Sequence, residues 1–407
     1  MRATYSGHPS STLVHIFIDW VVIMFKRALH KSLVVFVALV TSLIVVTPAH
    51  AGPGITPTSI LVGQSAPLSG PSANLGTEMR DGALAWFDHI NSKGGVNGRK
   101  IILKTLDDAS DAQQAAKNTA QLIDSDGVFA LFGYVGIGPA KAALPMVERD
   151  DVPFFAPLTG GEFLHTRFHP NVFNIRAGNA QEMEKIVENL EGMGSKKIAV
   201  LHNNDAAGKA ALGEFERALK KRNLTVMGTA TLERNSTDVT AAVVKMRAMA
   251  PHAVLMITSY PASAAFIRAM RKDALSLPFF WNMSFVGSQA LVAALGKEAP
   301  GVMISQVMPS PWSARMALVK EYKQLYLSKP GRQQGFSSLE GFIAAKAFVE
   351  GLERGGANVN RAAFRKGLES MRSVDLGGFV LKFSPTNHEA SDYVELTVVR
   401  RDGTFVY

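Results

Sequence analysis

Two strand-and-turn units between residues 128 and 164 constrain the fold of this chain more than any other feature. The first is an apolar run, 128–132, that ends in Gly133-Tyr134-Val135-Gly136-Ile137-Gly138. The second is a shorter apolar run, 152–156, that ends in Pro157-Leu158-Thr159-Gly160-Gly161. A helix predicted to begin at about Pro139 separates them, since proline suits a first helical turn. This order predicts a βαβ unit of parallel sheet with both glycine-rich turns at the carboxyl ends of their strands.

The two glycine-rich turns are candidates for binding a small anion. Ligands of open α/β sheets bind at the carboxyl ends of the strands, and bare backbone N–H groups at such turns suit a carboxylate. The alternative is that the glycines only form ordinary βα turns. On these residues alone, both interpretations stay open.

The same alternation of strand and helix continues on both sides of this unit. Strands are predicted at 60–65 and 100–107 before it, and at 197–201, 225–230, 253–257 and 279–281 after a break near Arg176. A chain of 407 residues exceeds one ordinary domain. The pattern predicts an α/β fold of two parallel-sheet lobes, with a ligand cleft between them. Two further strands, 378–383 and 393–399, are predicted to pair antiparallel with each other.

Residues 1–51 have the pattern of a secretory signal peptide. A basic region with Lys26, Arg27 and Lys31 precedes an apolar run, 32–46, and the small-residue cleavage signal 49–51. Residues 1–23 do not fit this pattern, so we predict that translation starts at Met24. The sequence has no cysteine, which excludes disulfides and a lipid-modified N-terminal cysteine. The prediction is a periplasmic protein beginning near Gly52, and not a lipoprotein.

Several function classes lack their sequence signals. The formal net charge of +9 is spread along the chain, and nucleic acid is not an expected partner of an exported protein. The sequence has no G-x-S-x-G or H-E-x-x-H motif, and the first turn, 67–76, lacks the dinucleotide G-x-G-x-x-G pattern. His165 and His169 are spaced like a helical metal pair, but Pro170 follows them at once. No cofactor, metal or catalytic residue is therefore predicted.

Five segments carry a resemblance to a known family. They are PLSGPSANLG at 67–76, GYVGIGPAKAALPMVE at 133–148, PFFAPLTGGEFL at 153–164, VFNIRAG at 172–178 and VLHNNDAAGKAALGEFERALK at 200–220. In this order they resemble the periplasmic substrate-binding proteins of the branched-chain amino-acid (Leu/Ile/Val-binding) class of ABC transporters. The resemblance covers essentially the whole chain after the signal peptide. It implies the type I periplasmic binding-protein fold, in which two doubly wound lobes are joined by three crossover strands.

The resemblance also implies lobe boundaries and a function. Lobe 1 would contain 52–177 and 308–386, and lobe 2 would contain 178–307 and 387–407. The lobes would close on a small carboxylate-bearing ligand, an amino acid or a related organic acid, and deliver it to a membrane permease. The protein would be a monomer and not an enzyme. A stand-alone sensory protein that docks on a membrane receptor stays an alternative, and a periplasmic hydrolase is a weaker one.

The resemblance assigns site residues position by position. It places the ligand carboxylate at the turns Gly136-Ile137-Gly138 and Leu158-Thr159-Gly160. Three further positions would contact the ligand body: Leu75, Ala207 (where tyrosine is frequent) and Tyr260. Tyr134 is a candidate because it ends a strand, although packing of its ring in the core is the alternative.

Ser284 is where the sequence departs most from the family pattern. Amino-acid binders of the family carry an acid near this position to pair with the α-ammonium, and here the local sequence is NMSFVG, 282–287. A buried ammonium without an anion is costly. Either Asp205 or another acid substitutes, or the ligand has no ammonium, and the second interpretation is favoured. Phe285 and Tyr260 would then provide an aromatic wall.

Overall fold

The computed structural model describes residues 52–272 and 276–407, and near the N-terminus only residues 20, 22–24 and 26. The chain divides between His50 and Ala51. The predicted signal peptide, 1–51, lies outside the described residues apart from those five. Among the residues that are described, no helix is both long and apolar enough to cross a membrane.

The first sheet contains five parallel strands in the order β2-β1-β3-β4-β5. Its strands are β1 Ser59–Ala66, β2 Lys100–Asp107, β3 Ala130–Phe132, β4 Phe154–Phe155 and β5 Val172–Phe173. Its helices are α1 Ala73–Ser92, α2 Ala112–Ala120, α3 Ile137–Arg149 and α4 Glu162–His165, and a π-helical turn, Gln121–Ser125, follows α2. Successive β3 residues enter two different apolar clusters, so both faces of the sheet are covered. Strands buried on both faces have continuous apolar runs, as 128–132 does.

The second sheet begins with five parallel strands in the order β10-β9-β8-β6-β7. These are β6 Ile198–Asn203, β7 Val226–Leu232, β8 Ala253–Ile257, β9 Phe279–Asn282 and β10 Met303–Gln306. The helix α5 Asn179–Gly192 precedes β6, and the strands are connected by α6 Ala206–Lys220, α7 Thr240–Met249, α8 Tyr260–Arg271 and α9 Ser288–Leu295. Along β6, Ala199 and Leu201 pack on one face and Ile198 and Val200 on the other. Both sheets are therefore doubly wound, as the sequence predicted.

The C-terminal third completes both sheets. After β10 the chain returns to the first sheet with α10 Ala317–Tyr326, α11 Phe336–Arg354 and α12 Arg361–Glu369. A two-stranded antiparallel ribbon follows, β11 Val374–Asp375 with β12 Val380–Leu381. The chain then crosses back, and β13 Glu395–Val399 and β14 Phe405–Val406 extend the second sheet. Together with the passage from β5 to α5, the chain crosses between the sheets three times.

The predicted pairing of the last strands is wrong. β12 pairs with β11, whereas β13 pairs antiparallel with β10 and β14. The physical reason is the open edge of β10, whose unpaired backbone groups are satisfied by a returning strand. Their closeness in the sequence favoured a local hairpin of 378–383 with 393–399, but β13 pairs with the edge strand β10.

The helices α1 and α11 cross in backbone contact at two glycines. A Cβ atom on Gly82 would lie 1.9 Å from the carbonyl oxygen of Ser338, and one on Gly341 would lie 2.1 Å from that of Met79. Only glycine permits this approach, because a carbonyl on a helix cannot swing aside as a side chain does. The two glycines set the distance between the longest helices of the first lobe.

Glu78 on α1 makes stability depend on pH. Burial raises the pKa of Glu78 to about 7, and a hydrogen bond from Ser337 opposes this only partly. Because an unfolded carboxyl titrates near 4.5, the folded chain holds a proton that the unfolded chain has lost between these values. The free energy of unfolding therefore falls as the pH rises from about 4.5 to 7.

We expect Glu78→Gln to remove this fall of the free energy of unfolding with rising pH. The variant should be more stable than the native chain at pH 8, by about 1–3 kcal/mol, and nearly equal to it at pH 4.5. Urea denaturation at the two pH values measures the difference, with the exposed Glu216→Gln on α6 as the control. An equal response of both variants to pH would contradict the assignment.

Candidate functional site

A cavity of ≈ 170 Å³ lies where the glycine turns of the first sheet meet the carboxyl ends of strands from the second. Ten of the twelve residues predicted for the site line it. They are Leu75, Gly136, Ile137, Gly138, Leu158, Thr159, Gly160, Ala207, Tyr260 and Phe285. Tyr134 and Ser284 do not line it. Local order predicted the two glycine turns as a candidate site, and the resemblance to the family supplied Leu75, Ala207 and Tyr260.

The two glycine turns are hydrogen-bonded to each other. The N–H of Leu158 donates to the carbonyl of Tyr134 (2.7 Å), and the N–H of Gly136 donates to that of Leu158 (3.1 Å). Gly136 has φ of 97°, which a residue with a side chain adopts only with strain. The helix α3 begins at Ile137, two residues before the predicted Pro139. The first-turn N–H groups of Ile137 and Gly138 consequently lack intrahelical partners and are suited to an anion.

The turn at Gly160 presses against the start of α5. The carbonyl of Gly160 accepts a hydrogen bond from the N–H of Asn179 (2.8 Å). A Cβ atom on Gly160 would lie 2.4 Å from Asn179 Oδ1, so only glycine fits. The hydroxyl of Thr159, which is 3% exposed, accepts from the N–H of Gly161 (3.3 Å). This turn is therefore rigid on the side that faces the cavity.

Tyr134 is a core residue, so its assignment to the site was wrong. The ring is fully buried and packs edge-on against Phe154, with 5.1 Å between ring centroids. Its hydroxyl lies 3.0 Å from Thr119 Oγ1, and burial raises the pKa of this phenol. Tyr134 belongs to the same apolar cluster as Leu131 of β3 and is not among the residues that line the cavity.

Ser284 also faces away from the cavity, toward a buried acid. Its N–H and its hydroxyl each donate to the carboxylate of Glu182, both at 2.9 Å. Arg176 lies 3.6 Å from Glu182 and 3.4 Å from Glu340, and its guanidinium also donates to the Ser284 hydroxyl. All three charged side chains are buried. An acid does lie near position 284, but it is bound by protein groups.

Asp205 does not offer a free carboxylate to the cavity either. Its Oδ1 caps α6 by accepting from the N–H of Gly208 (2.8 Å), and its Oδ2 pairs with Arg234 Nη2 (2.6 Å). Arg234 lines the cavity and was missed at the sequence level. The reason is that β7 was predicted to end at Ala230, whereas it continues to Leu232. If the prediction had ended β7 at Leu232, Arg234 would have fallen in the turn at the carboxyl end of this strand.

The lining is rich in hydrogen-bond donors and poor in negative charge. Among the lining residues that the structure describes, Arg234 is the single charged one and none carries a carboxylate. The first turns of α3, α5, α6 and α8 reach the cavity through Ile137, Asn179, Ala207 and Tyr260. A helix N-terminus carries about half a positive charge. The cavity therefore favours an anionic ligand.

The remainder of the cavity lining contains both polar and apolar side chains. Further side chains with hydroxyl or amide groups are Ser72, Ser110, Asn203, Asn235, Thr258 and Ser259. Apolar ones are Val135, Pro139, Ala211, Ile257 and Val286. This mixture suits a small ligand with a polar end and an apolar body.

The buried Glu214 lies behind Asn179, outside the lining. Burial raises the pKa of Glu214 to about 6; Glu162 adds to the shift, and Asn179 opposes it. One of its oxygens, Oε2, is buried without a hydrogen-bond partner. Asp205 Oδ2 is also buried without a hydrogen bond, but it lies 2.6 Å from Arg234 Nη2.

The histidines noted in the sequence do not form a metal pair. His169 Nδ1 lies 2.9 Å from Glu148, and His165 Nδ1 contacts Glu389. His165 Nε2 lies 3.3 Å from the carbonyl of Thr159, which ties it to a turn that lines the cavity. Within 52–272 and 276–407, no group of three or more acids and histidines is placed to hold a metal ion.

Comparisons with known proteins agree with this fold. A Leu/Ile/Val-binding protein homolog 3 from Brucella melitensis is 26% identical over 333 residues, covering 82% of this chain and 89% of its own length. The structure of a substrate-binding periplasmic protein from Ralstonia solanacearum is 30% identical, with a TM-score of 0.80, and covers 86% of this chain and 99% of its own. That of a possible leucine/isoleucine/valine-binding protein from Rhodopirellula baltica is 29% identical, with a TM-score of 0.80, and covers 89% and 98%. The family model described as periplasmic binding protein matches residues 59–404, and the chain therefore belongs to the periplasmic binding proteins, with the type I fold.

Proposed function

We propose that this protein is the binding component of an ABC importer and that it clamps a small carboxylate without an α-ammonium. The family implies an extracytoplasmic location and a role in binding a solute. The lobes of the clamp would be 52–177 with 308–386 and 178–307 with 387–407. The observation that carries the proposal is the charge of the cavity lining within 52–272 and 276–407, which has one arginine, several helix N-termini and no carboxylate. The protein would act as a monomer, without turnover, and pass its ligand to a membrane permease.

The carboxylate of the ligand would bind at the paired glycine turns. Its donors would be the N–H groups of Ile137 and Gly138 and the Thr159 hydroxyl, since charge-assisted bonds to N–H groups are among the stronger hydrogen bonds. The apolar body of the ligand would lie against Leu75, Leu158 and Phe285.

We infer that the ligand lacks an α-ammonium because the acids near the cavity already have protein partners. Glu182 is bound by Ser284 and Arg176, and Asp205 by Gly208 and Arg234. An α-ammonium in the cavity would lose its hydration without gaining an anion, which costs several kcal/mol. The relatives named for leucine, isoleucine and valine would favour an amino acid. The lining of this chain offers no carboxylate to receive one.

A second candidate ligand is an amino acid that uses Glu214. This acid has an unpartnered oxygen and lies next to Asn179, which lines the cavity. Rotation of the Asn179 side chain would expose it to an ammonium group.

The test compares ligands that share one skeleton. The mature chain, starting at Gly52, is unfolded, stripped of bound ligand and refolded. It is then heated with 4-methylpentanoate, 2-hydroxy-4-methylpentanoate or leucine, and with 3-phenylpropanoate or phenylalanine. A ligand that binds only the native state raises the melting temperature, by several degrees at a hundredfold excess over its Kd.

We expect the ammonium-free acids to raise the melting temperature and the matching amino acids to have little effect. A larger shift with leucine or phenylalanine, lost in Glu214→Gln, would favour the second candidate. No shift with any of them would contradict the proposed binding of a small carboxylate. Detectable hydrolysis of an ester of one of these acids to the free acid and alcohol would favour the hydrolase alternative.

A further inference from the structure

The cavity has a second polar end, formed by the second sheet. The glycine turns follow β3 and β4 of the first sheet, whereas Arg234 follows β7 of the second. Asn203, Asn235 and Ser259 line the cavity from the same sheet. A ligand held at the glycine turns by one carboxylate would therefore reach a second group of donors at its other end.

Arg234 is held in place by a carboxylate that is itself fixed. Asp205 Oδ2 contacts Arg234 Nη2 at 2.6 Å, and Asp205 Oδ1 accepts the N–H of Gly208 in the first turn of α6. A guanidinium has five N–H donors in a planar fork. The contact with Asp205 is made through Nη2, so the remaining N–H groups of the fork can donate to an acceptor in the cavity.

The charge at this end still favours an anion. Asp205 balances the charge of Arg234, but the first turns of α6 and α8 also reach the cavity here, through Ala207 and Tyr260. Each adds a partial positive charge. An apolar ligand end would leave these donors without partners, which costs free energy.

We propose that Arg234 determines specificity by binding a second carboxylate, so that the ligand is a small dicarboxylate. This inference rests on the proposed function, because it takes the cavity to be the carboxylate-binding site. It names the group at the far end of the ligand and the residue that receives it. A monocarboxylate would bind through the glycine turns alone.

The test measures affinity for matched pairs by isothermal titration calorimetry on the refolded mature chain. The pairs are pentanoate with pentanedioate and hexanoate with hexanedioate, which differ only in the terminal group. We expect the diacid of at least one pair to bind about tenfold to a hundredfold more tightly, as a charged hydrogen bond gives. In Arg234→Gln this ratio should fall to near one.

Arg268→Gln is the matched control. Arg268, on α8, is similarly half-exposed and pairs with Glu298 at 2.7 Å, outside the cavity lining. Arg268→Gln should keep the native ratio of diacid affinity to monoacid affinity. Arg234 lies in an exposed turn, so its variant should fold, and the melting temperature without ligand checks this.

The possible failures are distinguishable. Equal affinity for the monoacid and the diacid, or a ratio unchanged in Arg234→Gln, would overturn the inference and leave the carboxylate site intact. No binding of either acid would overturn the proposed function and this inference with it.

Discussion

Replacing Arg176 with leucine is expected to lower the free energy of unfolding by about 3–5 kcal/mol. Arg176 lies between Glu182 and Glu340, at 3.6 and 3.4 Å, and all three side chains are buried. Removing one member of a buried ion pair leaves an uncompensated charge that water cannot reach. Chemical denaturation of the two proteins measures the loss.

The loss of stability in Arg176→Leu should be larger at high pH. Burial raises the pKa of Glu340, Arg176 opposes this shift, and Glu182 adds to it. Without Arg176 the carboxyl pKa rises further in the folded chain, which then binds a proton that the unfolded chain releases. Stability falls with pH under that condition. The variant should therefore lose more at pH 8 than at pH 5.

Two further variants separate the charge effect from packing. Arg354→Leu on α11 removes a more exposed pair with Glu350 and should cost less than about 1 kcal/mol. The double variant Arg176→Leu/Glu340→Leu should recover much of the loss, since Glu182 keeps its bonds from Ser284 and Ser305. If Arg176→Leu cost no more than Arg354→Leu, the cluster would not contribute as described.

Replacing Gly341 with alanine is expected to cost about 1–3 kcal/mol or more. The added methyl group would lie 2.1 Å from the carbonyl oxygen of Met79, so α1 and α11 must move apart. Gly82→Ala should have a similar cost for the same reason, with a contact of 1.9 Å to Ser338. Because one separation of the helices relieves both clashes, the double variant should cost less than the sum.

The control is Gly192→Ala at the end of α5. No atom lies within 4 Å of the position of its added Cβ. Alanine there should be neutral or stabilise by a few tenths of a kcal/mol, because it restricts the unfolded chain. A cost at Gly341 equal to that at Gly192 would show that the helices do not touch at these glycines.

The sequence alone determined the α/β class, the two doubly wound sheets and ten of the residues that line the cavity. These features follow from local order: an apolar run makes a strand, a glycine turn ends it, and a helix begins at the same edge of the sheet. Gly136, Thr159, Ala207 and Tyr260 all follow strand ends in this way. Local order placed each residue at a strand end, and the resemblance to the family is what assigned Ala207 and Tyr260 to the ligand.

Only the tertiary structure decided which side chains turn toward the cavity. Tyr134 points into the core, and Ser284 bonds to Glu182, which lies 102 residues earlier in the chain. Arg176 and Glu340 are 164 residues apart. The strand β13 pairs with the edge of β10 and not with β12, its neighbour in the sequence. A strand-and-turn pattern fixes where a residue lies, but its partners come from remote segments whose packing sets the orientation. For this reason the sequence located the cavity, and the structure was needed to find its charge.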